Sequence, residues 1–198
     1  MTLQLVPEKA GPALPEKRVP GEEGLWVFVL GDMAIFGLFF GTIMVTLAKK
    51  PEMFAEAQSH LHPVLGIVNT VFLLTASLLV VLGTRDVRVT GRVSRTPLVL
   101  ALLCAIGFAV VKVTEYSILV GDGYTGGTND FFMYYFVFTG IHLAHLTIGV
   151  GVLAFLVRTA SVTELSEKRV MAVECGGVYW HMVDMLWLVL FPLLYLVR

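Results

Sequence analysis

The chain has 198 residues, 57% of them hydrophobic and 15% charged, and its formal net charge is −1. Soluble domains carry about a quarter charged residues, so this composition excludes a water-soluble globular domain and describes an integral membrane protein with little mass outside the bilayer. A balanced charge offers nothing to nucleic acid, and the two cysteines, Cys104 and Cys175, fit no metal or redox spacing.

Residues 1–23 hold Pro7, Pro12, Pro15 and Pro20 with mixed charges and few large apolar residues, a pattern expected of a mobile tail. It does not read as a secretory signal, because the apolar run after it is about 25 residues long and contains Asp32. Five apolar segments follow, at about 24–48, 61–83, 97–120, 131–157 and 171–197. Each exceeds the ~20 residues a helix needs to cross a bilayer. Barrel strands would be shorter and would alternate in polarity. The prediction is an all-α bundle of five transmembrane helices.

Lysine and arginine counts orient it. Lys9, Lys17, Arg18, Arg85, Arg88, Arg92, Arg95, Arg158, Lys168 and Arg169 fall on one side, against Lys49, Lys50 and Arg198 on the other. The positive-inside rule places the N-terminus in the cytoplasm and the C-terminus outside.

Ionisable groups within spanning segments are costly and face protein or enclosed water. Asp32 lies ~12 Å into the first helix. No basic residue on that helix is within pairing distance, so this carboxyl is either protonated or paired with another helix. Asn69 and Thr70 form a polar pair in the second helix. Lys112 and Glu115, three apart in the third, fit an i,i+3 ion pair with the lysine reaching toward the outer headgroups. His142 and His145 lie three apart in the fourth helix, and His181 and Asp184 three apart in the fifth. Their plainest role is interhelical glue, worth about 1 kcal/mol or less per contact. A single bis-histidine haem between the fourth and fifth helices is the competing metal reading. Trp180, Asp184, Trp187 and Phe191 form one stripe that must dock against something. Gly31, Gly37, Gly41, Gly66, Gly107, Gly140, Gly149 and Gly151 suggest close helix packing, internal or with another chain, a second copy included.

These motifs, in order, resemble subunit III of the haem-copper (cytochrome c) oxidase superfamily. The resemblance rests on Gly24 to Phe36 with its acid at 32, on Asn69-Thr70 followed by small hydroxyl residues, and on Glu115-Tyr116. It rests further on Thr139-Gly140-Ile141-His142-Leu143-Ala144-His145, and on Tyr179-Trp180-His181-Met182-Val183-Asp184-Met185-Leu186-Trp187. The full-length family has seven helices, so the chain resembles a five-helix form that lacks the first two. Met182, Phe191 to Tyr195 and Phe131 to Tyr135 are most similar to the nitric oxide reductase-associated (NorE-type) branch. Asp32 stands where many members have Glu.

The resemblance implies a non-catalytic accessory subunit of a respiratory haem-copper oxidase or nitric oxide reductase complex in the bacterial inner membrane. Such a subunit supports assembly, stability and proton uptake of the catalytic subunit. It binds no haem or metal itself, the haem and any copper or non-haem iron residing in that partner, and it retains phospholipid. Asp32 is then the proton-linked candidate, and Asn69, Glu115, His142, His145, His181 and Asp184 form a structural polar core. Trp26, Trp180 and Trp187 are the candidate partner or lipid contacts. The rivals are a stand-alone proton or small-solute transporter, against which the lack of visible inverted repeats counts, and a single-haem electron carrier.

Overall fold

The computed structural model describes residues 19–162 and 165–197. Among them are seven helices and no strand: α1 (Glu23–Lys49), α2 (Pro51–Ser59), α3 (Pro63–Thr84), α4 (Val87–Thr90), α5 (Arg95–Gly121), α6 (Asp130–Thr159) and α7 (Glu167–Tyr195). Five are long and apolar enough to cross a membrane: α1, α3, α5, α6 and α7. Helices are the natural solution there, because they satisfy every backbone polar group within the segment.

Local chemistry sets their ends. Pro51 and Pro63 open α2 and α3, where a missing N–H costs nothing. The Asn129 side chain accepts from the Phe132 N–H and caps α6. Gly91 ends α4 at φ +63°, a left-handed conformation that glycine adopts without strain.

The last spanning helix is the axis of the bundle. In its most apolar stretch 56% of residues are buried, against 17–28% in the other four spans. It packs on α3, α6 and α1, while α5 closes the far side against α3 and α6. α3 and α7 are antiparallel, joined by Ser77 to His181 at 2.8 Å, Thr70 to Trp187 at 3.0 Å, and Gly66 against the Phe191 ring. By contrast α1 is peripheral. Its buried residues, Val29, Phe36, Ile43 and Leu47, form one narrow line, and Val27 and Leu38 are over 70% exposed. So much bare apolar surface suits a lipid solvent and would be a liability in water.

The structure departs from the expected boundaries in several places. The stretch between the first two spans is not a plain loop but holds α2, an amphipathic helix that buries Phe54, Ala57 and Gln58. The last span begins at Glu167, four residues before the expected 171, and ends at Tyr195. Of the tail expected to be mobile, residues 1–18 lie outside the described residues, and residues 21–22 are anchored. The Gly21 N–H donates to Glu174 Oε2 at 3.0 Å and the Glu22 N–H to Cys175 Sγ at 3.4 Å.

Candidate functional site

Four polar assemblies lie inside the bundle. The first is on the seam between α1 and α6. His145 Nε2 stands 3.2 Å from Asp32 Oδ1, and the two side chains are 17% and 12% exposed. His145 Nδ1–H donates to the Ile141 carbonyl at 2.9 Å. The Tyr179 hydroxyl donates to the His145 carbonyl at 3.1 Å, and Phe36 covers the imidazole edge-on. Asp32 thus has a neighbour on another helix, His145 of α6.

The second assembly surrounds Lys112, whose side chain is 1% exposed. Its ammonium donates to Glu115 Oε2 at 2.9 Å, Tyr135 Oη at 3.0 Å and Tyr195 Oη at 2.9 Å. Tyr195 in turn donates to Glu115 Oε1 at 2.6 Å. The rings of Tyr116, Tyr135, Trp187 and Tyr195 enclose the charge at 4.7 to 5.6 Å. All three N–H groups and both carboxylate oxygens have partners, which is the condition a buried ion pair needs. This corrects the expectation that Lys112 reaches toward headgroups: two phenols and a carboxylate inside the bundle meet it instead. Thr139 gives its proton to the Tyr135 carbonyl, so Tyr116 must be the donor in the Tyr116–Thr139 bond.

In the third assembly, Ser77 bonds His181 Nδ1 at 2.8 Å and also lies beside Asp184. Trp187 Nε1–H donates to Thr70 Oγ1. His142, 1% exposed, is boxed between the Phe108 and Trp187 rings. Asn69, next to Thr70 in the chain, is fully buried. The side-chain nitrogens of His142, both amide atoms of Asn69 and Asp184 Oδ1 have no hydrogen-bond partner among the described residues.

The fourth assembly, at the arginine-rich end, was not singled out from the sequence. Arg88 Nε donates to Glu174 Oε1 at 2.5 Å, and the other oxygen of Glu174 takes the Gly21 N–H. Glu174 thus ties α7 to α4 and to the start of α1. An acid inside the last apolar segment was the available signal.

The tryptophan expectation fails for two of three residues. Trp180 and Trp187 are fully buried, because Gly149 admits the Trp180 ring and Trp187 fills the space between Phe108 and His142. Neither can touch lipid or a partner. Trp26 stays half-buried and donates to the Pro20 carbonyl at 2.8 Å. Of the glycines read as packing sites, Gly66, Gly107 and Gly149 meet aromatic rings, whereas Gly31, Gly37, Gly41, Gly140 and Gly151 face open space.

A metal or haem ligand set would need converging donors. The three mid-depth imidazoles diverge instead, His145 to Asp32, His181 to Ser77 and His142 into an aromatic box. Among the described residues, no three His, Cys, Asp or Glu side chains gather where an ion could sit.

The family model of cytochrome c oxidase subunit III matches residues 22–197. The chain belongs to that family. It is similar to quinol oxidase subunit 3 of Bacillus spizizenii, 28% identical over 87% of this chain and 85% of that protein. Cytochrome c oxidase subunit 3 of Synechocystis sp. is 30% identical over 87% of this chain and 74% of its own length. A third relative, heme-copper oxidase subunit I+III of Aeropyrum pernix, is 29% identical over 87% of this chain. The chain spans 22% of that longer protein. The segments quoted for the resemblance carry the contacts just described: Glu115 holds Lys112, His145 of the fourth span stands beside Asp32, and the last span forms the axis.

Proposed function

We propose that this subunit III family member is a non-catalytic accessory subunit of a respiratory haem-copper oxidase or nitric oxide reductase complex. It braces the catalytic subunit and supports its assembly and proton uptake. The observation that carries this reading is the Aeropyrum relative, whose name joins subunits I and III in one polypeptide. A region like this chain is there covalently attached to a subunit I. The interior fits such a role: Lys112, Glu115, Tyr135 and Tyr195 are spent on each other, as in a strut.

Haem, with copper or non-haem iron, would then reside in the partner. The nitric oxide reductase-associated branch rests on the resemblance of Phe131 to Tyr135 and Phe191 to Tyr195, the segments that also supply Tyr135 and Tyr195 to Lys112. Asp32 is the proton-linked group. The arginine-rich end faces the cytoplasm of a bacterial inner membrane, and the end near Tyr195 faces out.

A groove of about 670 Å³ lies between α1, α6 and α7, with Leu25, Val152, Phe155 and Met171 in its walls and Glu22 and Lys168 at its mouth. Its apolar depth and charged rim suit a phospholipid. A mild-detergent pull-down from native membranes, with a visible spectrum of the product, tests the assignment. Co-purification of a haem-bearing subunit is expected, and the haem types distinguish oxidase from nitric oxide reductase. A chain that emerges alone and colourless overturns it.

A further inference from the structure

We propose that the seam between α3 and α7 around His181 is the face on which a membrane-spanning helix of the partner subunit docks, with a hydrogen-bonding side chain of that helix meeting His181 Nε2. This rests on the accessory-subunit reading and adds which face of the chain the partner meets.

Helix α7 runs from Glu167 to Tyr195, and His181 stands at its midpoint. One ring nitrogen is used inside the bundle: Nδ1 bonds Ser77 Oγ at 2.8 Å. The other is not. Nε2 has no hydrogen-bond partner among the described residues, and it is not sealed in the interior, unlike both ring nitrogens of His142. The residue is half-buried. Each imidazole nitrogen is a donor or an acceptor in either tautomer. Mid-depth in a bilayer there is no water to pair with it, so an open Nε2 is costly there.

What covers it follows from what a bilayer can supply. The hydrocarbon core is ~30 Å thick, and the ester and headgroup oxygens of lipids lie at its edges. Acyl chains at mid-depth hold no donor or acceptor. Lipid can therefore cover this face but cannot satisfy it. A second helix can do both, because spanning helices associate through packing and through polar side chains that bond across the interface. The side chain required is a hydroxyl or a carboxamide, since either can donate or accept and so pairs with both tautomers of the ring.

The surroundings give such a helix a surface. On α7, Met185 and Val189 continue the His181 stripe at i+4 and i+8 and are 57% and 48% exposed. On the antiparallel α3, Leu74 and Val81 flank Ser77 at i−3 and i+4, and each is 46% exposed. Two bare apolar rows thus run side by side, with the Ser77–His181 bond between them. The rows supply packing area. The single imidazole sets the depth and register of the incoming helix, as one polar residue does in an otherwise apolar coiled-coil seam.

The test is photocrosslinking in native membranes that hold the whole complex. The full chain carrying benzoylphenylalanine at Met185 should form an adduct with the haem-bearing catalytic subunit. The same label at Leu103, 58% exposed on α5, should not. Adducts with lipid only at Met185, adducts between two copies of this chain, or adducts at Leu103 as strong as those at Met185 each overturn the proposal. Two variants supply a second arm. Met185→Trp leaves the interior untouched and should lower recovery of the complex several-fold, with the yield of the isolated chain unchanged. His181→Phe keeps a planar ring and should weaken association about tenfold, the worth of one hydrogen bond. His181→Gln, which keeps a donor and an acceptor, should restore most of it. Should His181→Phe fold poorly, Met185→Trp decides alone. Undiminished recovery of the complex with Met185→Trp overturns the docking face and leaves the accessory-subunit reading standing. Failure of the wild-type chain to yield any complex overturns both.

Discussion

Lys112 of α5 and Tyr195 of α7 meet at 2.9 Å across 83 positions of sequence, and Glu115 accepts from both. This contact joins the end of the axial helix to the far wall of the bundle through a charge with almost no exposure. Removing one partner strands the other. Glu115→Leu or Lys112→Met should each destabilise the chain by about 3–5 kcal/mol. The double replacement Lys112→Met with Glu115→Leu should cost clearly less than the sum, because Tyr135 and Tyr195 can still bond each other. Detergent-unfolding curves of the three variants decide this, and additive losses would refute the caged pair.

Asp184 and Asp32 are both acids in spanning helices, but their settings differ. Asp184 is 6% exposed on the axial helix beside Ser77 and His181, whereas Asp32 sits on the peripheral helix. Asp184→Ala should lower the yield of folded protein more than Asp32→Asn does. Quantified monodisperse protein after purification is the measurement, and equal or reversed losses would count against the axial role of α7.

Two kinds of glycine should respond oppositely. A Cβ at Gly66 would lie 2.6 Å from the Phe191 ring, and one at Gly37 would meet nothing. Gly66→Ala should cost about 1–3 kcal/mol through overpacking. Gly37→Ala in the isolated chain should be neutral, or stabilising by up to about 1 kcal/mol through helix propensity. If Gly37→Ala impairs recovery of a larger complex yet leaves the isolated chain intact, that bare face is covered by another chain.

Much of the architecture was legible because bilayer thickness converts apolar run length into helices directly. The spans and the polar residues within them stand out by composition alone. Pairing did not stand out. A stripe containing Trp180 and Trp187 announces that one face must dock, but whether it docks on lipid, a partner or its own bundle depends on which helix is central. That follows from tertiary packing, here on the room left by Gly149 for Trp180. Lys112 was misplaced for a related reason: the phenols that hold it lie 23 and 83 positions away, beyond any local pattern. α2 was hidden because nine residues of amphipathic helix look like a polar loop between two long apolar runs.

At the opposite end from the arginines, Lys50 bonds Asp130 at 2.6 Å, with both side chains well exposed. The hydrogen bond and charge of Asp130 raise the lysine above its ordinary value of 10.5. A raised folded-state value means that the contribution is fully present below pH 10.5 and is lost as pH climbs through the raised value. Lys50→Met should therefore give a constant, salt-sensitive difference in melting temperature from pH 7 to 9 that shrinks only at more alkaline pH. A difference that already fades between pH 7 and 9 would mean the ion pair is not its source.

Gln58 is a buried side chain on the short helix α2, and its amide donates to the carbonyls of Leu194 and Val197 at 3.2 and 2.8 Å. The last carbonyls of a helix have no partner within it, and here a residue 136 positions earlier supplies one. Gln58→Leu would fit the same space but leave those carbonyls bare, at a cost of about 1–3 kcal/mol. The loss should be local. Amide hydrogen exchange should accelerate over the last turn of α7 and in α2, while the Ser77–His181 level of the bundle keeps its protection. Uniform acceleration along α7 would instead show that α2 braces the whole axis, and unchanged exchange at the last turn would show that Gln58 does not cap it.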